Sequence, residues 1–264
     1  MTDSKPTINE LGRDLLTLSR FKVIQTIAQP LVFFVLYFVF AFHGYWVLAV
    51  LSTIAMSFTT YGSTSHDLVH MNLKINPKLN DFLLSFIELI SLRSGHAYRQ
   101  SHLNHHKIFP HEEDIEGQAS GMSFFRSLLE GVIFQFKIYF WALSKTSGRI
   151  RNIILLEGLL ILIIISAGIW SMKYNYVFIV YIGLIIAGSW IIPFITSYLV
   201  HNPKGKDELH QTKLFRGKFY SIIALDHLYH LEHHMYPMVP HKNWVKLAQR
   251  LDPYFEKKNI KPLK

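Results

Sequence analysis

The chain of 264 residues contains no cysteine. That excludes a disulfide framework, a thiolate metal site, a cysteine nucleophile and an iron–sulfur cluster of its own. It leaves the redox compartment open, because there is no thiol to oxidise. Charge is also scarce, at 17% of residues against about 25% in an average soluble domain. Acidic groups are the scarcer kind: 18 Asp and Glu face 27 Lys and Arg, a formal net charge of +9. Arg20 and Lys22 precede an apolar run, but no A-x-A cleavage pattern follows it, so the run reads as a retained span and not a signal peptide. What the chain does have is apolar surface (50% of residues) and 15 histidines.

Four stretches are long and apolar enough to cross a bilayer, which takes about 20 residues. They run over Val23–Phe42, Tyr45–Thr64, Ile150–Trp170 and Tyr176–Val200. His43 and Gly44 join the first pair and Ser171–Asn175 the second, and Lys173 is the sole cation in either turn. All other Lys and Arg lie in, or at helix ends facing, the remaining three segments, which the positive-inside rule makes cytoplasmic. The excess charge is therefore an orientation signal, and no nucleic-acid partner is expected. The expected fold is an all-α integral membrane protein with four transmembrane helices. It forms one domain over 1–264: a cytoplasmic tail (1–22), hairpin 1 (23–64), a helical cytoplasmic cap (65–149), hairpin 2 (150–200) and a cytoplasmic tail (201–264). Both termini and the site would be cytoplasmic, and a bacterial inner membrane is the expected location.

Two elements of the cap should touch lipid. Phe82–Leu92 is too short to span and holds Glu88, so it should dip into the interface. Phe125, Leu128, Leu129, Val132, Ile133, Phe136 and Phe140 recur at helical spacing, with Arg126, Glu130 and Lys137 on the other side. That helix either lies flat on the inner leaflet or packs on the rest of the cap.

The chemistry is in three histidine boxes: His66-Asp67-Leu68-Val69-His70, His102-Leu103-Asn104-His105-His106 and His230-Leu231-Glu232-His233-His234. Residues three and four apart share a helix face, so each box aims its imidazoles one way. Chance would supply roughly 0.05 copies of H-x-x-H-H in such a chain, and there are two. Neutral imidazole ligates zinc, copper and iron, and eight rings exceed what one four-coordinate ion can use. They suit two metals. His201 follows the fourth span as His66 follows the second, which makes it a candidate ninth ligand. His96 and His227 are expected to support the ligands from outside, whereas His43, His111, His210 and His241 read as ordinary surface or core histidines.

Carboxylates commonly accept the second ring N–H of a ligating histidine. Asp67, Glu232, Asp226 and the Glu112-Glu113-Asp114 cluster are candidates, with solvent exposure the plainer reading for Glu112 and Glu113. Glu157 lies inside the third span, where an ionisable group is costly and points to function. No partner for it can be named from the sequence.

A dinuclear site of neutral imidazoles beside apolar spans suits redox-active metal, O2 and a greasy substrate, although side-chain type alone does not choose the metal. The set H-x-x-x-H, H-x-x-H-H and H-x-x-H-H resembles the membrane fatty acid desaturase superfamily from about Thr59 to Leu247. The stretch His233-His234-Met235-Tyr236-Pro237-Met238-Val239-Pro240 is similar to the E-H-H-L-F-P-x-x-P pattern of acyl-lipid desaturases. The resemblance implies a non-haem di-iron centre held by the eight box histidines, O2 as co-substrate and two electrons from a separate donor. Such enzymes insert double bonds, hydroxyls or keto groups into lipids. Short length and the place of His201 resemble the β-carotene ketolases, but Lys107–Asp114 lacks their P-G-x-x-x-D-P-D stretch, and only Trp244 stands where they often carry a Trp pair. The substrate is therefore a fatty acyl chain or a carotenoid. No H-P-G-G haem motif is present, so a ferredoxin or cytochrome-type protein is the expected donor. Two rivals are an intramembrane zinc protease, with box 1 as an HExxH variant, and a metal carrier, which should place its ligands near the bilayer midplane.

Overall fold

The computed structural model describes residues 4–219, 224 and 226–263. Every regular element among them is helical: α1 (Ile8–Leu11), α2 (Arg20–Phe42), α3 (Trp46–Thr59), α4 (His66–Val69), α5 (Pro77–Ile90), α6 (Gly95–Ile108), α7 (Phe124–Lys145), α8 (Gly148–Ser171), α9 (Val177–Ser189), α10 (Glu208–Gln211), α11 (His230–Met235) and α12 (Trp244–Lys257). Four stretches are long and apolar enough to span a membrane: Arg13–Phe42, Trp46–Val69, Gly148–Ser171 and Val177–Tyr198. The sequence-based boundaries of the last two agree within about two residues at each end, since an apolar run is a local property.

Two of these spans end in the same device. A π-helical turn over Thr60–Ser65 carries the second span into α4, and another over Phe194–Tyr198 ends the fourth just before His201. Such turns widen the helix and redirect the chain beyond them. The first is tied to its neighbour through Pro30 of α2, which has no N–H for the carbonyl of Thr26. Thr64 Oγ1 donates to that carbonyl at 2.7 Å. The short α4 is held at its end by Asn80 and Arg99, which both donate to Leu68 O (2.8 and 3.0 Å).

The segment expected to dip into the interface packs along the apolar spans. The tip of α5 reaches the fourth span, where Tyr181 Oη donates to Ile90 O at 2.6 Å. Tyr181 lies only about one turn into α9, at the end remote from the histidines, so α5 descends beside the spans and α6 returns. Glu88 is fully buried there and forms a bidentate pair with Arg93 (2.6 and 3.1 Å). Leu79, Phe82 and Phe86 are exposed, while Leu84 and Ile87 are buried. In α7 the apolar stripe Phe125, Leu129, Ile133, Phe136 and Phe140 is exposed, whereas Phe134, Ile138 and Ala142 pack against the rest of the protein. Glu130 does not stay on a solvated face; it is buried and paired with Lys137.

Three apolar clusters run along the molecule. One joins α2, α3 and α9 around Tyr37, Met56 and Tyr181. A second joins α4–α8 around Leu68, Leu84, Phe134 and Ile154. The third packs the N-terminal turn onto the C-terminal segment, around Leu15, Leu231, Trp244 and Leu251. Asn243 stitches this last cluster, donating to Leu15 O and Thr17 O (2.9 and 3.1 Å).

Candidate metal centre

All nine candidate histidines converge, in two adjacent groups. His66, His70, His102, His106 and His233 form one; His105, His201, His230 and His234 form the other, and within each group the ring nitrogens lie within 4.8 Å of one another. The groups share an edge, where the His106 and His234 rings have centroids 4.5 Å apart.

Helical geometry explains how the boxes divide. From the first histidine of an H-x-x-H-H box, the residue four on lies about 40° to one side and the residue three on about 60° to the other. The i, i+4 pair can therefore serve one centre and the i+3 ring its neighbour. In box 2 the pair His102/His106 joins the five-ring group and His105 the other; in box 3 the pair His230/His234 joins the four-ring group and His233 crosses over. Box 1, with only an i, i+4 pair, serves a single group. His201, delivered by the fourth span, completes the group that box 1 does not reach.

The spacing fits a metal. With metal–imidazole bonds of about 2.1 Å, nitrogens at right angles around one ion are about 3.0 Å apart. In the five-ring group His66–His233, His106–His233 and His102–His106 have Nε2 separations of 2.9, 2.7 and 3.2 Å. In the four-ring group His105–His201, His201–His234, His201–His230 and His230–His234 are 3.1–3.2 Å apart. Burial, reinforced by neighbouring charged groups, holds His70, His106, His201, His230, His233 and His234 well below the usual imidazole range, so these rings are neutral and able to ligate. Burial also pulls His105 down, but its hydrogen bond to Asp114 and that carboxylate's charge outweigh it, and the pKa is raised.

The carboxylates that orient these rings are not the ones inside the boxes. His105 Nδ1 donates to Asp114 Oδ2 at 2.6 Å and His102 Nδ1 to Glu116 Oε1 at 2.8 Å. Both carboxylates are buried. Asp114 is one of the expected groups, and Glu116 is an addition; the spacing Asp114-x-Glu116 just after box 2 is its sequence signal. Asp67 and Glu232 are corrections. Each follows or precedes a ligand-face histidine by one residue, about 100° around the helix, and so points into packing. Asp67 accepts from the backbone N–H of His241 at 2.9 Å, and Glu232 pairs with Arg216 at 2.6 Å. Glu112 and Glu113 are exposed, as expected.

The supporting histidines also fall differently. His96 contacts no box ring; its Nδ1 donates to Glu157 Oε1 at 2.8 Å, and Ser85 and Ser94 donate to the same carboxylate at 2.5 Å each. That supplies the partners of Glu157. His227 stacks on Phe58 and lines a cleft, with Gly62 making room: a Cβ there would lie 2.5 Å from His227 Nε2. His43, His111, His210 and His241 stand outside both groups; His241 is buried with Nδ1 3.0 Å from Ser63 Oγ.

Aromatic side chains close each group. Trp244 packs on His66 and His233 (centroids 5.2 and 4.9 Å), and Phe109 on His105 and His201 (5.2 and 4.4 Å). From both groups the cleft descends between the second and fourth spans, touching His66, His102 and His230 at one end and Ser57, Gly188 and Ser189 at the other. Its walls include Phe58, Ile191, Ile192 and Ile195.

The arrangement agrees with a family comparison. The sequence profile described as fatty acid desaturase matches residues 40–261, a stretch that contains all nine histidines. Among curated proteins no match to the chain is found.

Proposed function

Because the chain belongs to the fatty acid desaturase family, we propose that it is a membrane-bound non-haem di-iron oxidoreductase. On this reading it uses O2 and two externally supplied electrons to desaturate or hydroxylate a lipid acyl chain. Two bound irons would supply O2 activation and hydrogen removal from an unactivated C–H bond, which side chains alone cannot perform. His66, His70, His102, His106 and His233 would hold one ion and His105, His201, His230 and His234 the other. Asp114 and Glu116 fix the tautomers of His105 and His102, keeping Nε2 free to ligate. The apolar walls of the cleft exclude water and lay a chain against His66, His102 and His230.

The observation that carries the proposal is the convergence of nine imidazoles, from four separate segments, at one end of an apolar cleft. The same reading takes the four spans as two hairpins beneath a cap, with termini and site on the cytoplasmic side, in a bacterial inner membrane. Electrons would then arrive from a ferredoxin or cytochrome-type protein on that side.

Metal analysis of the purified protein together with lipid profiling tests it. Two irons per chain and a change in acyl unsaturation or hydroxylation are expected. One zinc per chain would instead mean a protease, and weakly held, variable metal a carrier. A shifted pigment with unchanged acyl chains would move the substrate to carotenoids.

A further inference from the structure

A second space borders the cleft under the histidine groups. A cavity of about 500 Å³ lies beyond Arg93 and Ser189, residues that line both. Its walls come from the turn between α5 and α6, from α7 and from the spans α8 and α9, and are mostly apolar: Ile138, Ile165 and Ile185 line its inside, and the exposed Val132, Phe136 and Leu159 its open side.

This space is not loose packing. The helices around it touch tightly at two of its own lining residues. A Cβ on Gly131 would lie 1.7 Å from Trp190 O, and one on Gly158 would lie 2.1 Å from Tyr139 Oη. At these two points the missing side chains let α7 lie directly against Trp190 and α8, so the space is bracketed by close contacts.

Two polar groups in this apolar wall have no partner. Ser91 is 2% exposed and its Oγ makes no hydrogen bond. Gln135 Nε2 is likewise buried without an acceptor. At membrane depth no bulk water is present to satisfy such donors, and an unsatisfied one is destabilising. Both can donate, so the group that completes them is an acceptor oxygen on an otherwise apolar molecule.

We infer that this cavity receives the end of the lipid substrate remote from the oxidised carbon, and that this end carries a carbonyl or hydroxyl oxygen bound by Ser91 Oγ and Gln135 Nε2. A purely hydrocarbon end would leave both donors unpaired. The assignment of the ligand as substrate rests on the oxidase reading above; the binding preference does not.

The test uses three probes of equal chain length (1-octadecanol, methyl octadecanoate and octadecane) bound at equilibrium to the full-length protein in lipid nanodiscs. At least one oxygenated probe should bind about tenfold tighter than octadecane. The double variant S91A/Q135L should erase that preference, and Leu159→Trp, which fills the cavity, should weaken all three. The alcohol and ester arms tell a hydroxyl site from a carbonyl site. Equal affinity of the wild-type protein for all three probes would overturn the inference whether or not the variants fold. So would a preference that survives in S91A/Q135L. If no lipid is oxidised while the preference persists and follows the variants, the proposed chemistry fails and the binding site stands.

Discussion

The five-histidine and four-histidine groups are assembled by different means. The first takes two complete i, i+4 pairs, His66/His70 and His102/His106, and adds a single ring, His233. The second has one pair, His230/His234, and two rings that come singly, His105 and His201. Pairs on one helix turn need little from the tertiary fold, because the backbone already fixes their spacing. Single rings must be delivered by separate elements, so the four-ring group depends more on how α6, α9 and α11 pack. It also has no ring to spare.

The largest expected effect tests both groups at the residues that cross between them. His105→Ala and His233→Ala should each abolish product formation while membrane insertion, measured by fractionation, stays close to normal. Substantial activity in either variant would contradict two cooperating centres. The next effect sets the groups against each other. His201→Ala leaves three rings where there were four and should lower metal content towards one ion per chain, whereas His70→Ala leaves four of five and should retain more metal. Equal metal loss, measured on purified variants, would break the asymmetry.

A smaller effect is expected one layer out. Asp114→Asn and Glu116→Gln keep shape but weaken the hold on His105 and His102. Each should cost about 10–100-fold in metal affinity or activity, and Asp114→Asn should cost more because its ring is one of four. Metal titration of the two variants side by side checks the order.

The mildest perturbation is acid. Protons compete with metal for imidazole, so metal should leave as pH falls through about 6. His105 is raised while His201, His230 and His234 are lowered, so within the four-ring group His105 takes its proton first. Without metal, the depressed rings act on stability in a fixed direction. Their folded pKa lies below the unfolded value of about 6.5, so the unfolded chain binds more protons once pH drops below that value, and stability falls with pH. His227, pushed down to about 4 by burial, contributes over the window from about 6.5 to 4. A metal-free melting temperature unchanged between pH 7 and pH 5 would contradict this.

Some of this architecture was legible in the residues. The spans were, because about 20 consecutive apolar side chains leave few alternatives. So was the common aim of the rings within each box, which is helical periodicity. His201 could be singled out only by its position after a span, and its place in the four-ring group depends on a π-helical turn at Phe194–Tyr198. Asp67 and Glu232 misled because proximity in sequence to a ligand is not proximity to its ring. Glu157 had no visible partner because His96, Ser85 and Ser94 come from the descending α5 and returning α6, and the length of Phe82–Leu92 does not show what that pair packs against.

Composition and a repeat of 3.6 residues are enough to make the chain helical, to fit four stretches to a bilayer and to present the imidazoles of each box together. Which rings share a centre, which carboxylates orient them and where the cleft leads follow from packing between distant segments. Those depend on contacts between distant segments, such as His66 and His233, 167 residues apart, and no local periodicity encodes a distance of that kind.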